Sequence, residues 1–291
     1  MSMTVSDLQA LIESLTAGAE PDRDRAREAV AHLLEALSAG TVRAAEPGDD
    51  GWRAVPWVKK GILLAFRTGT TAAFTPHPTD ANEAFGGSTF RYYDRDTLPL
   101  RPTDGVAEGV RIVPGGTSVR HGAHLARGVV IMPPAYVNLG AFVDEGAMID
   151  SHALVGSCAQ VGKRVHLSAG AQLGGVLEPV GLRPVIVEDE AMIGGNTGVF
   201  EGTLVGRRAV LAPGVQLTRS TAVYDLVRET VHRGTAEAPL TIPAGAVVVP
   251  GSRPATGGFA EEHGIGLYAP VIVKYRDDRT DAATALEEAL R

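Results

Sequence analysis

Along the middle of the chain the apolar positions return every six residues. Val113, Val119, Leu125, Ile131, Val137, Val143, Ile149, Val155, Val161, Leu167 and Leu173 form an unbroken series of large aliphatic side chains. Leu, Ile and Val make up 67 of the 291 residues, so chance would give eleven in a row on the order of once in ten million frames. Four residues after each member from Val119 to Leu167 stands a small or β-branched residue: Ala123, Val129, Ala135, Ala141, Ala147, Ala153, Ala159, Val165 and Ala171. A period of six matches neither the three-to-four-residue stripe of an α-helix nor the two-residue alternation of a lone strand. It does match a triangular coil. If each hexapeptide makes one flat side and a corner, three make a full turn, and turns stacked about 4.8 Å apart pair as parallel strands with the aliphatic residues inside. Gly116, Gly122, Gly128, Gly140, Gly146 and Gly170 fall just before the small residue, where a tight corner with positive φ costs glycine least.

The register breaks after Leu173, at Gly174 to Pro184, and resumes as Val187, Ile193, Val199, Val205, Leu211, Leu217 and Val223, with a further pair at Ile242 and Val248. The step from Leu173 to Val187 reads as two hexads plus two residues. A Gly- and Pro-rich segment ejected from a rigid coil is a natural carrier of function. The flanks differ in texture. Leu8, Leu11, Ile12 and Leu15 form one helical stripe and Ala26, Val30, Leu33, Leu34 and Leu37 another, with Ser6 and Asp22 as candidate N-caps and Gly40 as a stop. Residues 52–105 read as mixed α/β with a polar loop near 75–88, Tyr268 to Val273 as a strand, and Thr280 to Arg291 as a short helix. The expected organisation is an N-terminal helical and α/β domain over 1–108, a parallel β-helix over 109–250 with the loop 174–184 ejected, and a C-terminal strand and helix over 251–291.

Composition narrows the function. With 44% apolar, 21% charged and 5% aromatic residues, the chain reads as a soluble globular protein. No window approaches the roughly 20 apolar residues of a membrane span, and no basic, apolar leader opens the sequence, so a cytoplasmic location is expected. A formal charge of −7 argues against nucleic acid as a partner. The single cysteine, Cys158, excludes an intrachain disulfide and a Cys-rich zinc site, and its corner position reads as a packed small residue.

Several strings carry a family resemblance: Trp57-Val-Lys-Lys-Gly-Ile-Leu-Leu-Ala-Phe-Arg67, Tyr136 through Asp150, Val155-Gly-Ser-Cys-Ala-Gln-Val-Gly-Lys163, Val165-His-Leu-Ser168 and Gly174-Gly-Val-Leu-Glu-Pro179. With them the chain resembles the tetrahydrodipicolinate N-succinyltransferases, within the hexapeptide-repeat acyltransferases, over nearly its whole length. The resemblance implies a left-handed coil, an exception to the usual crossover hand. It also implies a homotrimer with sites in the clefts between neighbours, succinyl-CoA as co-substrate without a required metal, and an amino-dicarboxylate acceptor of lysine and diaminopimelate biosynthesis. By the same resemblance Arg111, in Gly109-Val-Arg-Ile-Val-Pro114, binds a substrate carboxylate, and Asp150, in Met148-Ile-Asp150, binds the substrate and serves the chemistry. Both roles suit the residue types: a guanidinium fork matches a carboxylate, and a carboxylate orients an ammonium and accepts its proton. Gly198 stands where many members carry a second acidic residue, a form resembling another branch of the family.

Other readings stand beside this one. The same coil could serve a related N-acyltransferase with another donor or amino acid, a zinc hydratase, or a purely structural solenoid. His121, His124, His152 and His166 lie on the coil, yet none has another histidine one coil away, which disfavours a three-imidazole zinc site. An acyl-CoA carries phosphates and needs a local basic landing site. Candidates are Lys163-Arg164, Arg207-Arg208, Arg253 and Lys274-Tyr-Arg276, with Arg253 and Lys274 preferred because they stand where the coil ends and the chain changes character.

Overall fold

The computed structural model describes residues 3–18, 20–49, 51–74 and 92–277. The polar loop expected near 75–88 and the helix expected from Thr280 lie outside the described residues. Between Arg111 and Val249 the chain winds as a three-sided coil of two-residue strands, each parallel to the strand one turn away. The first face stacks Arg111–Ile112, Val130–Ile131, Met148–Ile149, His166–Leu167, Met192–Ile193, Val210–Leu211 and Ala246–Val249. Ser118–Val119 through Gln216–Leu217 form the second face, and His124–Leu125 through Thr241–Ile242 the third. The hexad series from Val119 to Leu217 lines the interior, with each aliphatic residue at most 7% exposed and its small companion packed beside it in one continuous core. All six expected corner glycines have positive φ. At Gly140 the reason is doubled, since a Cβ there would meet Ile62 and the Cys158 sulfur at 2.9 and 3.0 Å.

Three details of the register depart from the sequence reading. Ile112, not Val113, pairs with Ile131, because two successive positive-φ glycines, Gly115 and Gly116, lengthen the first corner by one residue. Val187 stacks on Val161, so a single side separates Leu173 from Val187 and the ejected segment takes eight residues beyond one hexad. Val223 does not continue the coil wall. It opens an antiparallel hairpin, Val223–Asp225 with Thr230–His232, and Ile242 takes the place above Val205. An aliphatic residue six after its predecessor satisfies the pattern whether it enters the coil or an adjoining sheet, so period alone could not separate these cases.

The N-terminal region packs against one side of the coil. Helix α1 spans Val5–Ala17, α2 Arg23–Ser38 and α3 Pro56–Thr68. Asp22 caps α2 as expected, accepting from the Arg25 amide. The α1 cap is Thr4 in place of Ser6, because Thr4 and Asp7 bond reciprocally in a capping box. The helices bury their stripes together with Leu139 and Cys158, the corner between second and third faces. Ser38 receives the Gly122 amide, and Arg43 lies 3.7 Å over the Phe142 ring while bonding Gln160. These contacts cover the second corner and part of the third face.

Past the coil, the expected strand from Tyr268 to Val273 is two strands, Gly266–Tyr268 and Val271–Tyr275, interrupted at Ala269-Pro270. Val271–Tyr275 joins Ala246–Val249 antiparallel and Val223–Asp225 parallel, extending the sheet of the first face, whereas Gly266–Tyr268 pairs antiparallel with Ser252–Pro254 as a separate two-stranded ribbon whose Tyr268 hydroxyl accepts from the Gln216 amide.

Candidate active site

On the first face, Ile112, Ile131, Ile149 and Leu167 turn inward, so the residues on either side of each turn outward. One outward column reads Arg111, Val130, Met148, His166, Met192. The other reads Val113, Met132, Asp150, Ser168, Gly194, as the inter-coil backbone bonds from Val113, Met132, Asp150, Ser168 and Gly194 to the next coil show. Arg111 and Asp150 therefore share one face and stand two coils apart, roughly 10 Å at the backbone. The coil brings the two together across 39 positions of sequence.

Asp150 closes the strand Met148–Ile149, and its side chain is 30% exposed. Its Oδ1 accepts from the Ser151 amide at 2.7 Å. Its Oδ2 makes no hydrogen bond to the described residues and faces His166 Nε2 at 4.0 Å. That nitrogen is shielded from solvent, although the ring is 41% exposed, and it has no hydrogen-bond partner among the described residues. Arg111 is exposed at the start of the coil, and no bond ties its guanidinium to the described residues. The site thus offers a carboxylate with one oxygen fixed and one free, and a guanidinium available for a partner of its own size. A free carboxylate oxygen can hold an ammonium, and a free guanidinium fork can hold a carboxylate.

The ejected segment lies elsewhere. It leaves the second corner, whereas Asp150 sits at the first, so within one chain the two are on different edges of the coil. The segment's root forms a cleft of about 450 Å³ lined by Gly174, Gly175, Glu178, Phe200, Glu201 and Arg219. Lys59, fully buried on α3, holds the segment from behind by donating to the Leu182 carbonyl at 2.5 Å, and burial pushes its ammonium below the ordinary lysine range. Sequence reading passed over Lys59, since a lysine inside a helical stripe looks like an exposed one.

Gly198 is closely packed. A Cβ there would fall 2.2 Å from Gln216 Oε1 and 2.3 Å from the Phe200 ring, so these side chains occupy the space that any larger residue at 198 would need. Among the basic candidates, Arg164, Arg207 and Arg208 converge on Glu190 at 2.7, 3.1 and 3.9 Å, and Arg276 donates to the Arg208 carbonyl. Arg253 and Lys274 are not brought together: Lys274 pairs with Val247 in the sheet of the first face and Arg253 with Leu267 in the separate two-stranded ribbon. Cys158 is fully buried and its thiol is pushed up to about 12, chiefly by burial, which agrees with a packing role. No group of three or more His, Cys, Asp or Glu side chains among the described residues is arranged to hold a metal, and no helix of the described residues is long and apolar enough to cross a membrane.

Comparison with known proteins adds to this geometry. Residues 7–68 match the family model described as the tetrahydrodipicolinate N-succinyltransferase N-terminal region, and residues 184–219 match the hexapeptide repeat of succinyl-transferase. The 2,3,4,5-tetrahydropyridine-2,6-dicarboxylate N-succinyltransferase of Polynucleobacter asymbioticus is 43% identical over 270 residues, covering 91% of this chain and 90% of its own. The protein of the same name from Aromatoleum aromaticum is 42% identical over 299 residues, covering 99% of both. That of Yersinia pestis is 43% identical over 268 residues, covering 91% of this chain and 89% of its own. With this identity over nearly its full length, the chain belongs to the 2,3,4,5-tetrahydropyridine-2,6-dicarboxylate N-succinyltransferase family.

Proposed function

We propose that the protein transfers the succinyl group of succinyl-CoA to the amino group of ring-opened tetrahydrodipicolinate, 2-amino-6-ketopimelate, a step of diaminopimelate and lysine biosynthesis. The observation that carries this reading is identity above 40% along nearly the whole chain to relatives named for that reaction. The open first face, where Arg111 and Asp150 stand, supports it chemically. Arg111 grips a carboxylate of the acceptor, and Asp150 Oδ2 holds its ammonium, which gives one proton to solvent to free the nitrogen lone pair; the carboxylate then takes up a second N–H proton as the nitrogen attacks the thioester carbon. Backbone N–H groups stabilise the oxyanion, and the C–S bond breaks with its electron pair leaving on the coenzyme A sulfur.

The reading includes a left-handed coil, a homotrimer, a cytoplasmic location and chemistry without a metal, with domains over 1–108, 109–250 and 251–291. A trimer suits the distribution of the parts, because the ejected segment at one corner and Asp150 at another can meet only across two copies. Arg253 and Lys274, separated within one chain, would contact the coenzyme phosphates from different copies or at different points of one long ligand.

The tight packing at Gly198 favours a second reading, a related N-acyltransferase with another acyl donor or amino acid. Thiol release from succinyl-CoA and acetyl-CoA, with tetrahydrodipicolinate or L-2-aminopimelate as acceptor, separates the two. Fast release that prefers succinyl-CoA is expected. Preference for another donor would support the second reading, and silence across a donor panel would overturn both.

A further inference from the structure

The first face holds one polar atom that the chemistry above leaves unused. The His166 ring is 41% exposed, but its Nε2 is shielded from solvent, makes no hydrogen bond to the described residues, and has Asp150 Oδ2 as its ionic neighbour at 4.0 Å. A buried, unpaired nitrogen costs free energy unless something offsets it. Its surroundings are Met148 and Asp150 on the strand below, Met192 on the strand above, and Ser168 two residues on. Arg164, the charged residue nearest in sequence, turns away to Glu190 at 2.7 Å. Among the described residues, the one ion pair of the imidazole is with the free oxygen of Asp150.

We propose that His166 is the proton store behind Asp150, a positioning residue that acts through the carboxylate. This rests on the acyl-transfer reading of the site. An imidazole is a stronger base than a carboxylate and so a better resting place for a proton shed by an amine. As the acceptor nitrogen bonds to the thioester carbon, one N–H proton passes to Asp150 Oδ2 and on to His166 Nε2, leaving an imidazolium beside a carboxylate. When the C–S bond breaks, the electron pair stays on sulfur. The imidazolium returns its proton by the same path to the thiolate, so the cycle ends with amide, free thiol and neutral His166.

The column itself indicates a well-tolerated variant. Methionine occupies the equivalent position directly below and above, at Met148 and Met192, so His166→Met keeps the fold. Its turnover is expected to fall about 100-fold, with KM for the acceptor little changed and the pH profile of kcat altered. His166→Gln should behave similarly, having shape without the base. A His166→Met enzyme with wild-type turnover and pH profile would overturn the proposal. Asp150→Asn, assayed in parallel, keeps that failure apart from failure of the reading itself: loss of activity in Asp150→Asn alone removes only the histidine's role, while activity in both removes the site. A readout free of turnover is the nitrogen NMR spectrum of the His166 ring at one fixed pH, whose Nε2 signal is expected to move when Asp150 becomes Asn and the carboxylate 4.0 Å away loses its charge. No change on that substitution would break the coupling on which the proposal stands.

Discussion

At the scale of single residues, Asp150 and Arg111 divide the acceptor between them, and their losses should be distinguishable. Asp150→Asn keeps the Ser151 amide bond to Oδ1 while removing charge and base, so kcat should fall by roughly 10²–10⁴ with the melting temperature unchanged. Arg111→Ala should raise the acceptor KM by about 10- to 100-fold, the weight of a charge-assisted bond of about 1.5–3 kcal/mol, with Arg111→Lys recovering only part because the fork is lost. Steady-state kinetics with the acceptor varied checks both. Cys158 carries a different prediction. Buried completely and with its thiol pushed up to about 12, it should not react with a thiol dye until the protein unfolds, so native protein gives no background in a coenzyme A release assay. Of these three residues, Cys158 was legible from the hexad alone, whereas Arg111 and Asp150 needed longer motifs, since a single Arg or Asp on a coil face is ordinarily solvated.

At the scale of elements, two segments leave the coil and each is held by a buried titratable group. Lys59 on α3 holds the first through the Leu182 carbonyl. Lys59→Met keeps the aliphatic stem but leaves that carbonyl unpaired, at a cost of about 1–3 kcal/mol, while relieving the burial of an ammonium. Limited proteolysis should therefore cut faster between Gly174 and Pro184, with the global melting temperature moving by only a few degrees. The second is the hairpin from Val223 to His232. Buried Asp225 accepts from Tyr275 at 2.5 Å, from the Val227 and Arg228 amides, and from His232 at 3.2 Å. Burial opposes the charged form, but the four donors outweigh it and hold the carboxyl down at about 2. A depressed carboxyl stabilises the fold above its unfolded value near 3.9 and loses that contribution as pH falls toward 2. Hydrogen exchange in the hairpin should accordingly rise between pH 4 and 2, and Asp225→Asn should remove that acid step. The hexad pattern placed the coil elements from Val119 onward but began the series one residue late at Val113 and read Val223 as coil, because burial at a six-residue spacing does not report strand direction.

At the scale of the whole molecule, the coil presents one covered side and one open side. The helices, Arg43 and Trp52 cover the second corner and part of the third face, whereas Arg111, Asp150 and His166 stand on the first face, away from these elements. The segment beyond Val249 carries exposed apolar side chains, with Phe259 71% exposed and Leu267 43%, more than a lone surface residue needs. Sedimentation equilibrium should give three times the chain mass of 30.4 kDa, and replacing Phe259 and Leu267 by serine should shift the protein toward smaller species with lost turnover. A monomer of full activity would remove the trimer from the reading.

By itself the sequence determined the coil, its three-hexad turn and the interior identity of nearly every wall position, because a six-residue period has one economical solution for burying aliphatic side chains against parallel neighbours. The long motifs added the family and, through it, Arg111 and Asp150. Only the tertiary structure decided the length of the ejected segment, the departure at Val223, the separation of Arg253 from Lys274, the burial of Lys59 and the approach of His166 to Asp150. Each of these depends on which residues face each other across turns or across domains. A one-dimensional period records what must be inside, but it does not record which outward side chains the stacking brings within reach of one another.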